Sequence, residues 1–168
     1  ALDAGTSSVR ALAFDRRGRA ISGTETQIAY ELTTTPDGGA EMDPLALCEI
    51  LARCVDGTIQ ALDPATNEIA AVAMSCLWHS LLGVDNGGFP VTPVFYWADT
   101  RSARYAEELR EELDETTIHA RTGCVFHSSY WPAKLRWLRE ALPERYHAAA
   151  RWTSFADFAL RQFLDIDQ

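Results

Sequence analysis

No run in the sequence comes near the roughly 18 consecutive apolar residues that a membrane-spanning helix needs, so no such helix is expected. Basic residues are scarce: 15 Lys and Arg stand against 24 Asp and Glu, a formal net charge of −9. A field of that sign repels a nucleic-acid backbone and an anionic membrane unless a basic patch intervenes, and the sequence has no such patch. A small anionic substrate remains admissible wherever local arginines and backbone donors outweigh the net field. Cys48, Cys54, Cys76 and Cys124 have neither CxxC spacing nor the density of a secreted mini-domain, and they read as reduced core thiols. His119, His127 and His147 lack ligand spacing. Repeats, heptads, low-complexity tracts and long linkers are also missing, which points to one domain. No secretory leader is visible and the cytoplasm is the expected compartment. The chain opens on Ala1 inside an apparent strand, so a few residues are expected to precede it.

What is present is the material of a core: 168 residues, 47% of them apolar, with five tryptophans. A compact domain of this length buries about two-thirds of its unfolded surface. The opening stretch, Leu2-Asp3-Ala4-Gly5-Thr6-Ser7-Ser8-Val9-Arg10, reads as strand, tight turn, strand, with the second strand continuing toward Phe14 and ended by Asp15-Arg16-Arg17-Gly18. Gly5 can take a positive φ without a Cβ penalty. Such a turn offers successive N–H groups and three hydroxyls, which can form a concave anion site, and Asp3 can hold Mg²⁺ through its waters, so a nucleotide phosphate tail is the expected ligand. An ordinary hairpin with a small-residue turn is the alternative.

Residues 20–30 are β-rich and would add a third strand, making an antiparallel meander. Thr33 to Gly39 is a polar loop with turn chemistry at Pro36-Asp37-Gly38-Gly39. Asp43 and Pro44 form a cap and first-turn pair for a helix whose apolar positions are Cys48, Leu51, Val55, Ile59 and Leu62, stopped by Asp63-Pro64. The run Ile69 to Met74 suits a strand covered on both faces and reached by a helical crossover. At its end stands Ser75-Cys76-Leu77-Trp78-His79-Ser80, where open α/β folds gather ligands; His79 is either structural or a ligand contact. Asn86-Gly87-Gly88 signals a hairpin between Leu81–Asp85 and Val91–Tyr96. Trp97-Ala98-Asp99-Thr100-Arg101 suits a polyhydroxylated ligand, the indole covering a C–H face and the charged groups bonding hydroxyls. A helix-entry salt bridge with a packed Trp is the competing reading. Further helices are predicted from Ser102 (Tyr105, Ala106, Leu109, Leu113), over Thr116–Thr122 up to Gly123, from Pro132 to Pro143, and after a Ser154/Asp157 capping box carrying Phe155, Phe158, Ala159 and Phe163.

Asp3-Ala4-Gly5-Thr6-Ser7-Ser8, the segment from Asp37 to Pro44, and Trp97-Ala98-Asp99-Thr100-Arg101 together resemble, in order and spacing, the start of FGGY-family carbohydrate kinases. Arg121-Thr122-Gly123-Cys124, Ala133 to Leu138 and Ser154 to Phe158 extend the resemblance over nearly the whole chain. Trp78 to Asp85 followed by Trp97 to Arg101 is most similar to gluconate kinases, with xylulose kinases next; the glycine usual after the histidine in the latter is here Ser80. The resemblance implies an α/β, actin-like (ribonuclease-H-like) ATPase domain: a mixed sheet with an N-terminal antiparallel meander and flanking helices. Residues 1–168 would form most of the first of two halves that close over ATP and sugar, the nucleotide-binding half lying outside this chain. By the same resemblance, Asp3 acts on Mg²⁺ through water, and Gly5, Thr6, Ser7 and Ser8 approach the transferred phosphate. Trp78, His79, Trp97, Asp99 and Arg101 border the sugar, and the general base and adenine pocket lie beyond residue 168. The expected partner is a small sugar or sugar acid, with no nucleic acid or membrane, and a homodimer is left open. The chain alone is expected to fold without phosphorylating anything. A non-catalytic ATP- or sugar-binding module of the same fold is the alternative.

Overall fold

In a computed structural model that describes residues 1–65 and 68–164, the predicted meander is present. Strands β1 (Leu2–Ala4), β2 (Ser8–Ala11) and β3 (Thr26–Ala29) run antiparallel, with Leu2 opposite Ala11 and Ser8 opposite Ala29. Strands β2 and β3 are both shorter than their composition suggests. After Ala11 the chain makes a second small hairpin closed by the Phe14–Ala20 bridge, with the Asp15 carboxylate accepting from the N–H groups of Arg17 (2.8 Å) and Arg19 (3.0 Å). Thr24 then ends this excursion, its hydroxyl donating to Ile21 O at 2.8 Å and accepting from Ala13 N at 3.2 Å. Strand geometry resumes only at Thr26.

The polar loop is a hairpin in which β4 (Thr33–Thr34) pairs with β5 (Ala40–Met42). Helix α1 (Pro44–Gln60) starts as predicted, Asp43 Oδ1 accepting from Leu45 N (2.8 Å) and Ala46 N (2.9 Å). It ends before Asp63. Its buried face is Leu47, Leu51, Cys54 and Thr58, one turn apart each, whereas Ile59 is exposed. Gly57 explains the rotation away from the Val55–Ile59 stripe: the helix backbone lies so near β3 that a Cβ there would meet Thr26 Oγ1 at 2.6 Å. All four cysteines are free, but only Cys48 and Cys54 are core thiols; Cys76 is half-buried and Cys124 exposed.

A crossover leads to β6 (Met74–Cys76), parallel to β1, giving the sheet order β3-β2-β1-β6. The predicted strand over Ile69–Met74 is thus corrected to its last residue onward. Among the described residues β6 has β1 as its one sheet neighbour, so the approach to it is uncovered and Val72 is 67% exposed. The predicted hairpin forms at the Asp85–Phe89 turn, its arms joined by bridges between Val84 and Pro90 and between Leu81 and Phe95, and each arm also pairs with a further strand. Strand β7 (Leu82–Val84) pairs with β9 (Arg151–Thr153), which sequence reading missed, and β8 (Val94–Phe95) pairs with β5.

Helices α2 (Ala103–Glu112), α3 (Glu115–Thr122) and α4 (Trp131–Ala141) fall where predicted. Pro143 stops α4 but also opens a short helix, α5 (Pro143–Ala148), because its fixed φ suits a first helical position. The capping box of α6 (Phe155–Leu164) is formed, with Asp157 N donating to Ser154 Oγ at 3.1 Å and that hydroxyl donating to Asp157 Oδ2 at 2.7 Å. Phe155, Phe158 and Ala159 join Val9, Leu47 and Leu51 in the main core, while Phe163 stays exposed. A second cluster, Leu81, Phe95, Trp137 and Leu138, anchors α4 beside the short sheets.

Candidate phosphate and sugar site

The turn between β1 and β2 is clamped from below. Gly5 N donates to Ser8 O (3.0 Å), Tyr30 N donates to Ser7 O (3.0 Å), and the Tyr30 hydroxyl donates to Gly5 O. Burial pushes the Tyr30 phenol pKa up, and burial with the neighbouring Tyr30 hydroxyl (3.1 Å) does the same to Tyr96, so both are neutral hydrogen-bonding groups. The N–H groups and hydroxyls of Thr6 and Ser7 make no hydrogen bond among the described residues. Gly5 does not use the positive φ expected of it; the tight approach of Ser8 O, 3.4 Å from where its Cβ would stand, is accommodated without one.

Asp3 is the centre of β1, opposite Arg10 and Ser75. Arg10 is already paired with Glu25 at 3.2 Å and Gln27 at 3.3 Å, and the exposed Asp3 carboxylate has no partner among the described residues. An uncommitted carboxylate beside open backbone donors suits Mg²⁺ held through water together with a phosphate. Among the described residues no three His, Cys, Asp or Glu side chains gather as ligands.

After β6 the chain turns at Leu77–Ser80, Ser80 N donating to Leu77 O at 3.3 Å. His79 has φ 60°, the one positive φ outside glycine among the described residues, a conformation that costs a β-carbon residue about 1–2 kcal/mol. Its surroundings hold it there: Ser80 Oγ accepts from Phe155 N (3.1 Å), Ser80 O accepts from Trp131 Nε1 (3.1 Å), and Leu81 N donates to Phe95 O (3.1 Å). The His79 ring stacks on Trp78 at 4.8 Å and lies 4.5 Å from the Tyr130 ring, which in turn is 5.8 Å from His127. Burial, then the charges of Lys134 and His127, lowers the His79 pKa and favours the neutral imidazole. Trp78 is 79% exposed and Trp97 52%, and Trp97 O accepts from Ser129 Oγ at 2.7 Å. Four of these rings thus form a continuous row, with Trp97 tied to it through Ser129.

Asp99 and Arg101 are placed otherwise. Asp99 is 1% exposed, its Oδ2 accepting from Arg101 Nη2 (2.5 Å) and Ala40 N (3.3 Å) and its Oδ1 from Arg101 N (3.1 Å). Arg101 also meets Glu41 at 3.0 Å, and its guanidinium lies 4.5 Å above the Trp137 ring. Burial opposes the Arg101 charge, but the hydrogen bonds and charges of Asp99 and Glu41 outweigh it and raise the pKa. The pair therefore has the form of the helix-entry salt bridge, while the adjacent Trp97 is open as the ligand-facing alternative requires.

Beneath this turn lies Lys134, inside the helix predicted from Pro132 to Pro143 but not singled out there. It is 1% exposed and its Nζ donates to Tyr96 O at 2.5 Å and Asp99 O at 3.5 Å. The signal available was its position three and four residues before Trp137 and Leu138, on the face α4 buries. Burial, opposed by Asp99 and assisted by Arg101, lowers its pKa to about 8 from 10.5. Between those values the unfolded chain binds more protons than the folded one, so stability rises with pH through this window. The rise is expected to reach about 3 kcal/mol. Urea unfolding from pH 7 to 10.5 should show it as a difference from Lys134→Met, and a difference independent of pH would refute the shift. Tyr130 and His127 were missed as well, because no spacing in sequence reports a ring contact with residue 79. A cavity of about 650 Å³ lies at the opposite end of the main sheet, lined by Leu2, Ala11, Phe14, Ile59 and Val72 among others, and contains none of the candidate site residues.

The chain belongs to the FGGY family of carbohydrate kinases, whose N-terminal domain it matches over residues 1–164. It is 26% identical over 165 residues to a gluconokinase of Bacillus subtilis (strain 168), covering 98% of this chain and 31% of that protein. A xylulose kinase of Streptomyces rubiginosus is 35% identical over 153 residues, covering 88% and 29%. The crystal structure of a gluconate kinase from Lactobacillus acidophilus superposes with a TM-score of 0.87 at 24% identity, over 96% of this chain and 32% of that one. The fold is accordingly that of the actin-like ATPases. The chain spans about a third of the length of these relatives.

Proposed function

We propose that this chain is the sugar-binding half of an ATP-dependent kinase acting on a sugar or sugar acid, with gluconate the favoured substrate and xylulose or another pentulose next. One observation carries the proposal: β1 and β6 are parallel neighbours with Ala4 opposite Cys76, so the Gly5–Ser7 donor turn and the Trp78–His79 turn leave the sheet side by side at strand carboxyl ends. Phosphoryl transfer rests on positioning and charge stabilisation, and this juxtaposition brings an anion cradle beside a surface suited to a polyol. The N–H groups of Thr6 and Ser7 would meet the transferred phosphate, with Gly5 and Ser8 framing the turn. Asp3 would hold Mg²⁺ through water, and the ion would offset phosphate charge. Trp78 and Trp97 would cover the C–H face of the sugar and His79 would bond a hydroxyl, with Asp99 and Arg101 fixing the Trp97 turn from within. The general base and the adenine pocket are assigned to no residue of this chain. Gluconate ranks first because the gluconokinase match covers more of the chain, and xylulose second because the xylulose kinase match, though shorter, has the higher identity.

The deciding measurement is kcat/KM of the full-length protein for gluconate, xylulose and glycerol at fixed Mg-ATP. Gluconate is expected to rank first. If xylulose or glycerol leads, the gluconate assignment falls and the kinase assignment stands; if none of them drives ADP release, the non-catalytic binding module replaces both.

A further inference from the structure

We infer that His127 contacts the substrate and selects for a sugar acid, offering an Nε2–H donor to the carboxylate from the rim that also carries Trp97 and Tyr130. This rests on the kinase reading of the same surface. His127 lies in the connection between α3 and α4, with Tyr130 N donating to its carbonyl at 3.0 Å. Ser129 N lies 3.1 Å from His127 Nδ1. A backbone N–H can only donate, so Nδ1 is the acceptor and the neutral ring carries its proton on Nε2.

The Ser129 hydroxyl, also 3.1 Å from Nδ1, has its single proton engaged by Trp97 O at 2.7 Å. Ser129 is buried, so this small side chain fixes both the imidazole and the Trp97 turn relative to one another. Nε2 itself has no partner among the described residues, and the ring is exposed. Tyr130 stands between His127 and His79, at 5.8 and 4.5 Å, so two imidazoles and a phenol border one patch.

The chemistry of this patch favours an anion despite the acidic chain. None of Trp78, His79, Trp97, His127 and Tyr130 is a carboxylate, and the nearby Asp99 and Glu41 are taken up by Arg101. The buried Lys134 lies close enough for its charge to bear on His79. A carboxylate can only accept hydrogen bonds at neutral pH, and the fixed Nε2–H is a donor of the right kind; such a charge-assisted bond is worth about a 10- to 100-fold change in affinity.

The test uses the full-length protein with His127→Phe, which keeps a ring against Tyr130 but removes the donor, and His127→Gln, which restores an N–H at similar reach. With gluconate, His127→Phe is expected to lower kcat/KM by about 10- to 100-fold, chiefly through KM, with neutral xylulose changed less than about threefold. His127→Gln is expected to recover most of the loss. Equal losses for both sugars, or no loss for gluconate, overturn the inference while wild-type turnover keeps the kinase reading intact. Should the wild type show no turnover, the kinase reading fails alone. Calorimetric titration with gluconate then decides this one: weaker binding to His127→Phe sustains it, and unchanged or absent binding ends it.

Discussion

Replacing Asp3 with alanine is expected to lower kcat of the full-length protein by about 10²-fold or more while the KM for sugar stays near that of the parent. The asymmetry follows from where Asp3 lies. It projects from the middle of β1, exposed and without an ion pair or hydrogen bond among the described residues, so its removal strips the fold of nothing. The aromatic row that would meet the sugar belongs to other segments. What the substitution removes is negative charge beside the donor turn, where a metal and a phosphate would need it. Asp3→Asn, which keeps the shape, should fall nearly as far. Steady-state kinetics across a magnesium titration, with thermal unfolding as a control, would check this. Unchanged turnover would remove Asp3 from the phosphate machinery, and a lower melting temperature would reveal a structural role instead.

Asp99→Ala is expected to destabilise the protein by about 3–5 kcal/mol, the usual result of removing one member of a buried ion pair. Its two oxygens together take up the Arg101 guanidinium, the Arg101 amide and the Ala40 amide. Without them Arg101 keeps Glu41 and the face of Trp137, the Ala40 N–H is stranded in the core, and Lys134 loses the charge that offsets its burial. Removing Arg101 at the same time should restore part of the loss, because the buried guanidinium, left with Glu41 as its one carboxylate, is then gone. Urea unfolding of the two single variants and the double variant measures the coupling. A loss below about 1 kcal/mol for Asp99→Ala would place this pair with ordinary surface bridges.

The features legible in the sequence were those whose cause is local. Asp43 before Pro44, Gly123 after Thr122 and the Ser154/Asp157 pair specify helix ends within a single turn, and each is formed. The turn at Gly5–Ser7 was equally plain. Burial was less legible, because it depends on neighbours distant in sequence. Ile69–Met74 has the composition of a covered strand, yet Ile69 to Ala73 are exposed and only Met74 enters β6; Ile59 fits the helical period of α1, yet contact of Gly57 with β3 turns it outward. Strand β9 is three residues paired with a strand nearly seventy positions earlier, which no local pattern announces. Within the candidate site, Trp78, His79 and Trp97 could be singled out from residue type and position. The left-handed backbone of His79, the buried Lys134 and the link through Ser129 required the packing.

The uncovered approach to β6 has a practical side. A strand edge with free amide and carbonyl groups is a template for another strand, and the neighbouring Ile69 and Val72 favour taking it out of water. Concentrated samples of residues 1–168 by themselves would be kept apart chiefly by their charge of −9. Salt shortens the reach of that repulsion to about 8 Å at physiological ionic strength. Such samples would therefore keep best in dilute buffer and clump as salt is added, the reverse of the salting-in behaviour common among proteins near their isoelectric point.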